Sequence, residues 1–124
     1  MRKIIFTVFL ILLFAMPLYS AEVNEDSTAV LTLTFKDETD TLVVPGSIYY
    51  RIDDVPTKTQ IRDWTAISPP SSSVDVTITD VENAILKQTH QYEIRLVSVY
   101  FTYATGKKGT ADFIYNLVNL DRIP

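Results

Sequence analysis

Asp53 and Asp54 stand side by side at the end of SIYYRIDD (47–54), ten residues before Trp64, the only tryptophan in the chain. Two carboxylates near an aromatic ring are the parts of a glycosidase site, where the acid groups converge on one bond from ~5–9 Å apart. Their adjacency argues against that use. Neighbouring residues of a strand point to opposite faces, so these two cannot serve one substrate atom, and a turn-forming, solubilising role accounts for them. Asp37, Glu38 and Asp40 could begin an oxygen-rich calcium loop, but the Asp-x-Asp-x-Asp-Gly spacing is missing. Lys107 and Lys108 would offset their charge if the two turns share an end of the fold. His90 is the only histidine and there is no cysteine. Ser71 to Ser73 therefore have no recognisable base for nucleophilic catalysis, thiolate zinc is excluded, and His90 reads as an exposed loop residue. TGKKG (105–109) lacks the spacing of a phosphate loop. No catalytic, cofactor-binding or metal-ligating residue is assigned, and the chain reads as a non-enzyme.

What remains are side chains that bind rather than react. Tyr100, Phe101 and Tyr103 adjoin a turn carrying Lys107 and Lys108, a basic tip on an acidic chain. One parity of that aromatic run must face outward, either as a partner-binding patch or as ordinary cross-strand pairing. Trp64 is placed on an edge strand, where it covers the margin of the fold with its indole N–H reaching a partner. The alternative is an aromatic platform shared with Tyr49.

The elements that must position these residues are strands. Ala29, Leu31, Leu33 and Phe35 alternate with Thr32, Thr34 and Lys36, a half-buried pattern of period two. Ser47–Asp53 turns Ile48, Tyr50 and Ile52 inward, with Tyr49, Arg51 and Asp53 outward. Gln60–Ile67 is a third strand, and Val74–Thr79 a fourth, with Val74, Val76 and Ile78 on one face. Asp80 reads as the N-cap of a short helical turn. Between Tyr92 and Tyr103 the parity slips: Tyr92, Ile94 and Leu96 share one face, but Val97, Val99, Phe101 and Tyr103 the other. A β-bulge near Leu96–Ser98 would reconcile them. The turn at 104–109 then closes a hairpin with Thr110–Leu120, and Glu22–Ser27 reads as a flexible lead-in. Six or seven short strands with almost no helix predict an all-β antiparallel sandwich.

Ahead of the sandwich, MRKIIFTVFLILLFAMPLYSA carries a basic start, an apolar run from Ile4 to Met16 and small exit residues at Ser20 and Ala21. This is the pattern of an export signal, and the run is short for a bilayer-spanning helix, which needs about 20 residues. Residues 1–20 thus read as a signal peptide, or else an N-terminal anchor, and residues 21–124 as one domain. Loss of Arg2 and Lys3 leaves nine basic against fifteen acidic residues, a net charge of −6. Such a surface has no electrostatic footprint for nucleic acid and no polybasic segment for a membrane.

LKQTHQYEIRL (86–96) resembles the corner before the penultimate strand of immunoglobulin-like and fibronectin-type-III-like domains. There a leucine precedes by six residues a tyrosine whose hydroxyl bonds back to the chain; Leu86 and Tyr92 stand at that spacing. Across roughly 27–123, the strings TLTF (32–35), YRIDD (50–54), TQIRDWTAI (59–67), VDVTIT (74–79), NAIL (83–86) and YNLVNL (115–120) resemble small phage-encoded immunoglobulin-like proteins. The resemblance implies an immunoglobulin-like sandwich serving as a non-enzymatic, virion-associated module that docks onto a larger assembly. A secreted or periplasmic binding module for a glycan or protein is the alternative. The partner expected is a protein, of a viral assembly or a cell surface, with Tyr100, Phe101, Tyr103, Lys107, Lys108, Trp64 and Tyr49 as the interaction candidates. Neither cofactor nor oligomeric state is assigned. The expected location is outside the cytoplasm, or the virion if translation starts further in or assembly occurs at a membrane.

Export should remove residues 1–20, so the intact mass of the protein recovered from its source should begin at Ala21. A chain still carrying Met1 would point to an anchor or a wrongly chosen start.

Overall fold

The computed structural model describes residues 21–37, 39–104 and 106–122. The segment 1–20, Glu38 in the acidic turn and Thr105 in the hairpin turn lie outside the described residues. Seven strands form: β1 (Ala21–Asn24), β2 (Ala29–Thr34), β3 (Ser47–Asp54), β4 (Thr59–Ala66), β5 (Ser73–Ile78), β6 (Tyr92–Ala104) and β7 (Lys107–Val118), followed by a 3₁₀ turn at Leu120–Arg122. They make two sheets, one of five strands in the order β1-β7-β6-β3-β4 and one of two, β2-β5. The all-β sandwich read from the sequence is present.

Alternation decides the core. Ala29, Leu31 and Leu33 lie opposite Ile78, Val76 and Val74 across the small sheet, and all six are buried. They close over Ile48, Tyr50 and Ile52 of β3, Val97, Val99 and Phe101 of β6, and Tyr115 and Leu117 of β7. Phe35 meets Phe101 edge-on, with ring centroids 5.1 Å apart. Phe101 also lies over its cross-strand partner Gly109; a Cβ there would sit 2.3 Å from the ring, so only glycine fits under it. Phe101 is therefore core, and Tyr103 is partly buried against the same cluster. Phe101 thus drops out of the interaction candidates, while Tyr103 keeps part of its surface exposed.

The N-terminal lead-in is a strand. β1 pairs in parallel with the end of β7, Ala21 opposite Tyr115 through Asn24 opposite Val118, and Val23 is buried. Four residues were too short to show a period. The helical turn after β5 is a set of hydrogen-bonded turns instead. Its cap is Thr79, not Asp80: Thr79 N–H donates to Glu82 (2.9 Å) and Glu82 N–H donates to the Thr79 hydroxyl (3.3 Å). This is the reciprocal box of a T-x-x-E sequence.

The largest departure is in β6. No bulge occurs near Leu96; pairing with β7 runs unbroken from Tyr92 to Thr102, and the one irregularity follows Thr102. The strand keeps its parity because Glu93 and Arg95 turn inward, both fully buried. Arg95 donates to Glu93 (2.9 Å), to Asp54 (3.3 Å) and to the Ala84 carbonyl (2.9 Å). Glu93 accepts the backbone N–H groups of Leu86 (2.9 Å) and Lys87 (3.1 Å) and lies 3.2 Å from His90 Nδ1. Asp54 completes the set, accepting from the Thr57 hydroxyl at 2.6 Å. His90 is thus no free loop residue.

The expected tyrosine corner is absent in consequence. Tyr92 is 49% exposed and Leu86 46%, because a strand that buries Glu93 must turn Tyr92 outward. The Glu93 carboxylate ties down the corner that a phenol was expected to hold. The buried tyrosine at this end is Tyr115, whose hydroxyl donates to Asn83 (2.7 Å) while the Asn83 amide donates to the Ser27 carbonyl (2.8 Å). Burial pushes the Tyr115 phenol above its ordinary range and keeps it neutral.

Replacing Arg95 with Met should lower stability by about 3–5 kcal/mol in urea melts, because it leaves two buried carboxylates without their cation. Tyr92→Phe, at an exposed position, should stay within about 0.5 kcal/mol. Equal losses would contradict the cluster's role in fixing β6.

Candidate functional site

The sheet faces solvent on the side away from β2 and β5, and there four of the seven interaction candidates meet. β3 and β6 pair with Tyr49 opposite Tyr100, and their rings stack with centroids 4.7 Å apart and planes 15° from parallel. Trp64 of β4 packs edge-on against Tyr100 at 4.9 Å. Lys108 of β7 places its Nζ 5.9 Å from the Tyr100 ring centroid, within range of a cation–π contact. Four strands therefore contribute one side chain each, with Tyr100 at the centre. Lys107 is exposed nearer the hairpin turn, outside this cluster.

β4 carries two irregularities, and the one between Arg62 and Thr65 turns Trp64 to the outer face. Tyr50 lies opposite Thr65, Ile52 opposite Arg62 and Asp53 opposite Gln60, so β4 spends extra residues against β3. Arg62 and Trp64, two positions apart, would otherwise share a face. Instead Arg62 turns to the Tyr50 hydroxyl and Glu82, while Trp64 turns outward. A bulge commonly re-aims a side chain in this way. Trp64 is 44% exposed, so it is not cover for the sandwich margin, and the platform alternative with Tyr49 describes it better.

Along the same face, Arg51 grips Asp53 through Nε (2.8 Å to Oδ2) and Nη2 (2.8 Å to Oδ1). Hydrogen bonding to Asp53 holds the guanidinium pKa above its ordinary value. Asp54, on the inner face, belongs to the Arg95 cluster. The two adjacent carboxylates thus have separate partners on opposite faces, and they form no acid–base pair. Beside them lies a shallow depression of about 340 Å³ lined by Arg51, Asp53, Asp54, Val55, Lys58 and Leu96. Ile94 and Ile114 continue the face and are exposed.

The acidic turn has local partners rather than the hairpin lysines. Asp37 Oδ1 accepts from Thr39 N–H (2.9 Å), the Thr39 hydroxyl (2.6 Å) and Thr41 N–H (3.0 Å), and Asp40 pairs with Lys36 at 3.2 Å. Among the described residues, no group of three or more His, Cys, Asp and Glu side chains could hold a metal ion.

Arg51 was read as outward from the alternation of β3, whereas Ile94 and Leu96 were missed as surface because a supposed bulge sent them elsewhere. Pairing β3 with β6 as neighbours would have brought Tyr49 to Tyr100 in advance. Comparison with known protein families, with curated proteins and with solved structures finds no match to this chain. Its class therefore rests on the fold and the outer face.

Trp64 is the only fluorescent indole, so it reports on the cluster directly. Tyr100→Ser should shift its emission to longer wavelength and cost about 1–3 kcal/mol, two aromatic contacts at about 0.5–1.5 kcal/mol each. An unchanged spectrum would mean that the three rings do not form one unit.

Proposed function

We propose that this chain is an immunoglobulin-like, non-enzymatic interaction module that docks a protein partner through the outer face of its five-stranded sheet. The observation that carries this reading is the contact of Tyr49, Trp64 and Tyr100 on the solvent side, with Trp64 44% exposed. Exposed aromatic area flanked by a cation has the composition of an interface core rather than of ordinary surface. The immunoglobulin-like assignment draws support from strand order. β7, β6 and β3 stand as the G, F and C strands, β4 as C′, and β2 and β5 as the B–E pair of the opposite sheet.

A partner in a phage or prophage assembly is the reading that the sequence resemblance favours. A glycan partner is the second reading, favoured by one observation: the Arg51–Asp53 pair lies on the same face as the exposed indole, a polar group beside a stacking surface. Neither reading uses Asp54 or His90, which serve the interior.

Affinity capture from the native source with the wild-type protein should return a defined partner by mass spectrometry. Trp64→Ser and Lys108→Ser should each reduce its recovery while leaving the thermal melt within a few degrees, and Lys108→Ser should also flatten the salt dependence. A glycan array probed with the same three proteins separates the second reading. Normal recovery with both variants, and no glycan bound, would move the interface off this face.

A further inference from the structure

Beyond the outer face, we infer that β7 is a self-association edge at which two copies of this chain pair to make one continuous sheet. β1 covers the far side of β7 only from Tyr115 to Val118. Among the described residues, no strand pairs the same side of β7 from Lys107 to Ile114, although this stretch is held in regular register by β6 from Lys108 onward. Such an edge is a row of unpaired N–H and C=O groups that templates another strand. It contains no proline, and from Lys108 to Ile114 its pairing with β6 has no bulge.

The charges select the occupant and the register. Lys108, Thr110 and Asp112 share the outer face, since Thr110 lies opposite Tyr100, and all three are exposed. Neither Lys108 nor Asp112 has an ion-pair partner among the described residues. Lys108 and Asp112 flank Thr110 symmetrically. An antiparallel pair with its two-fold axis through Thr110 therefore places Lys108 of each copy opposite Asp112 of the other, twice. Registers centred on residue 108 or 112 would instead set like charges directly opposite, which is unfavourable. The contact is isologous and closes at two copies.

The geometry has a functional consequence. The two-fold axis stands perpendicular to the joined sheet, so both outer faces point the same way. Tyr100 lies one strand in from each edge. The two aromatic clusters would then stand three strand spacings apart, about 14 Å at ~4.8 Å per strand. A dimer would present them together to one partner surface, and two linked sites gain avidity without new contacts.

Charge reversal tests this on the protein recovered from its source, by sedimentation equilibrium with circular dichroism as the folding control. The wild type should show a concentration-dependent doubling of mass. Lys108→Asp alone and Asp112→Lys alone should each lose the dimer, since each sets like charges opposite one another. Mixing the two single variants should restore a heterodimer, and the double reversal should restore the homodimer. A wild type that stays monomeric overturns the inference, including one that instead captures an extended peptide, because the edge would then serve a foreign strand. Single variants that dimerise as the wild type does overturn it equally.

Discussion

The buried cluster of Arg95, Glu93 and Asp54 is the constraint on which the remaining geometry depends. Three charges at the end of the core are costly to desolvate, and they persist because Glu93 also accepts from the crossing segment at Leu86 and Lys87 and Asp54 from Thr57 in the turn after β3. Within the cluster, Nη1 of Arg95 is the one atom that finds no partner among the described residues. Buried cations that are paired tolerate little displacement, because an uncompensated charge costs several kcal/mol. The cluster thus pins three things at once: the parity of β6, the end of β3 and the path of residues 84–93.

Everything on the outer face follows from that parity. With Glu93 and Arg95 inside, Tyr92, Ile94, Leu96, Ser98 and Tyr100 must point out, and the pairing of Tyr100 with Tyr49 brings β3 into the same surface. Trp64 joins only because β4 is irregular. A regular β4 would send either Arg62 away from Tyr50 and Glu82 or Trp64 away from Tyr100. At this end of the sandwich an ionic cluster faces inward while Tyr92, Ile94 and Ile114 face solvent, a local reversal of the usual assignment.

How much of this was legible follows from which residues obey the simple rule. β2, β3 and β5 alternate apolar with polar, and their inward residues were read correctly. The opposite faces of Asp53 and Asp54 were legible from strand geometry alone. β6 was not, because periodicity assumes that charges face water; two buried charges look the same as a slipped strand. For Trp64 the edge strand was legible, but choosing between edge cover and a platform with Tyr49 needed the bulge in β4, which carries no reliable signal in the residues QIRDWT. Phe101 stayed among the interaction candidates because the sequence leaves the outward parity of β6 open, and the glycine that makes room for its ring contributes no apolar pattern. Tyr92 matched a corner by spacing, but spacing cannot say which of two adjacent residues, Tyr92 or Glu93, faces the core.

The parallel pairing of β1 with β7 has a mechanical consequence. The two strands run in the same direction, with Ala21–Asn24 aligned to Tyr115–Val118. Tension applied at the two chain ends would draw β1 backward and β7 forward, sliding one along the other. Their backbone bonds would then bear the load together rather than opening one after another, as they would at the end of a pulled hairpin. Resistance to force is governed by the unfolding barrier, and this arrangement sets the barrier at the seam between the ends of the fold.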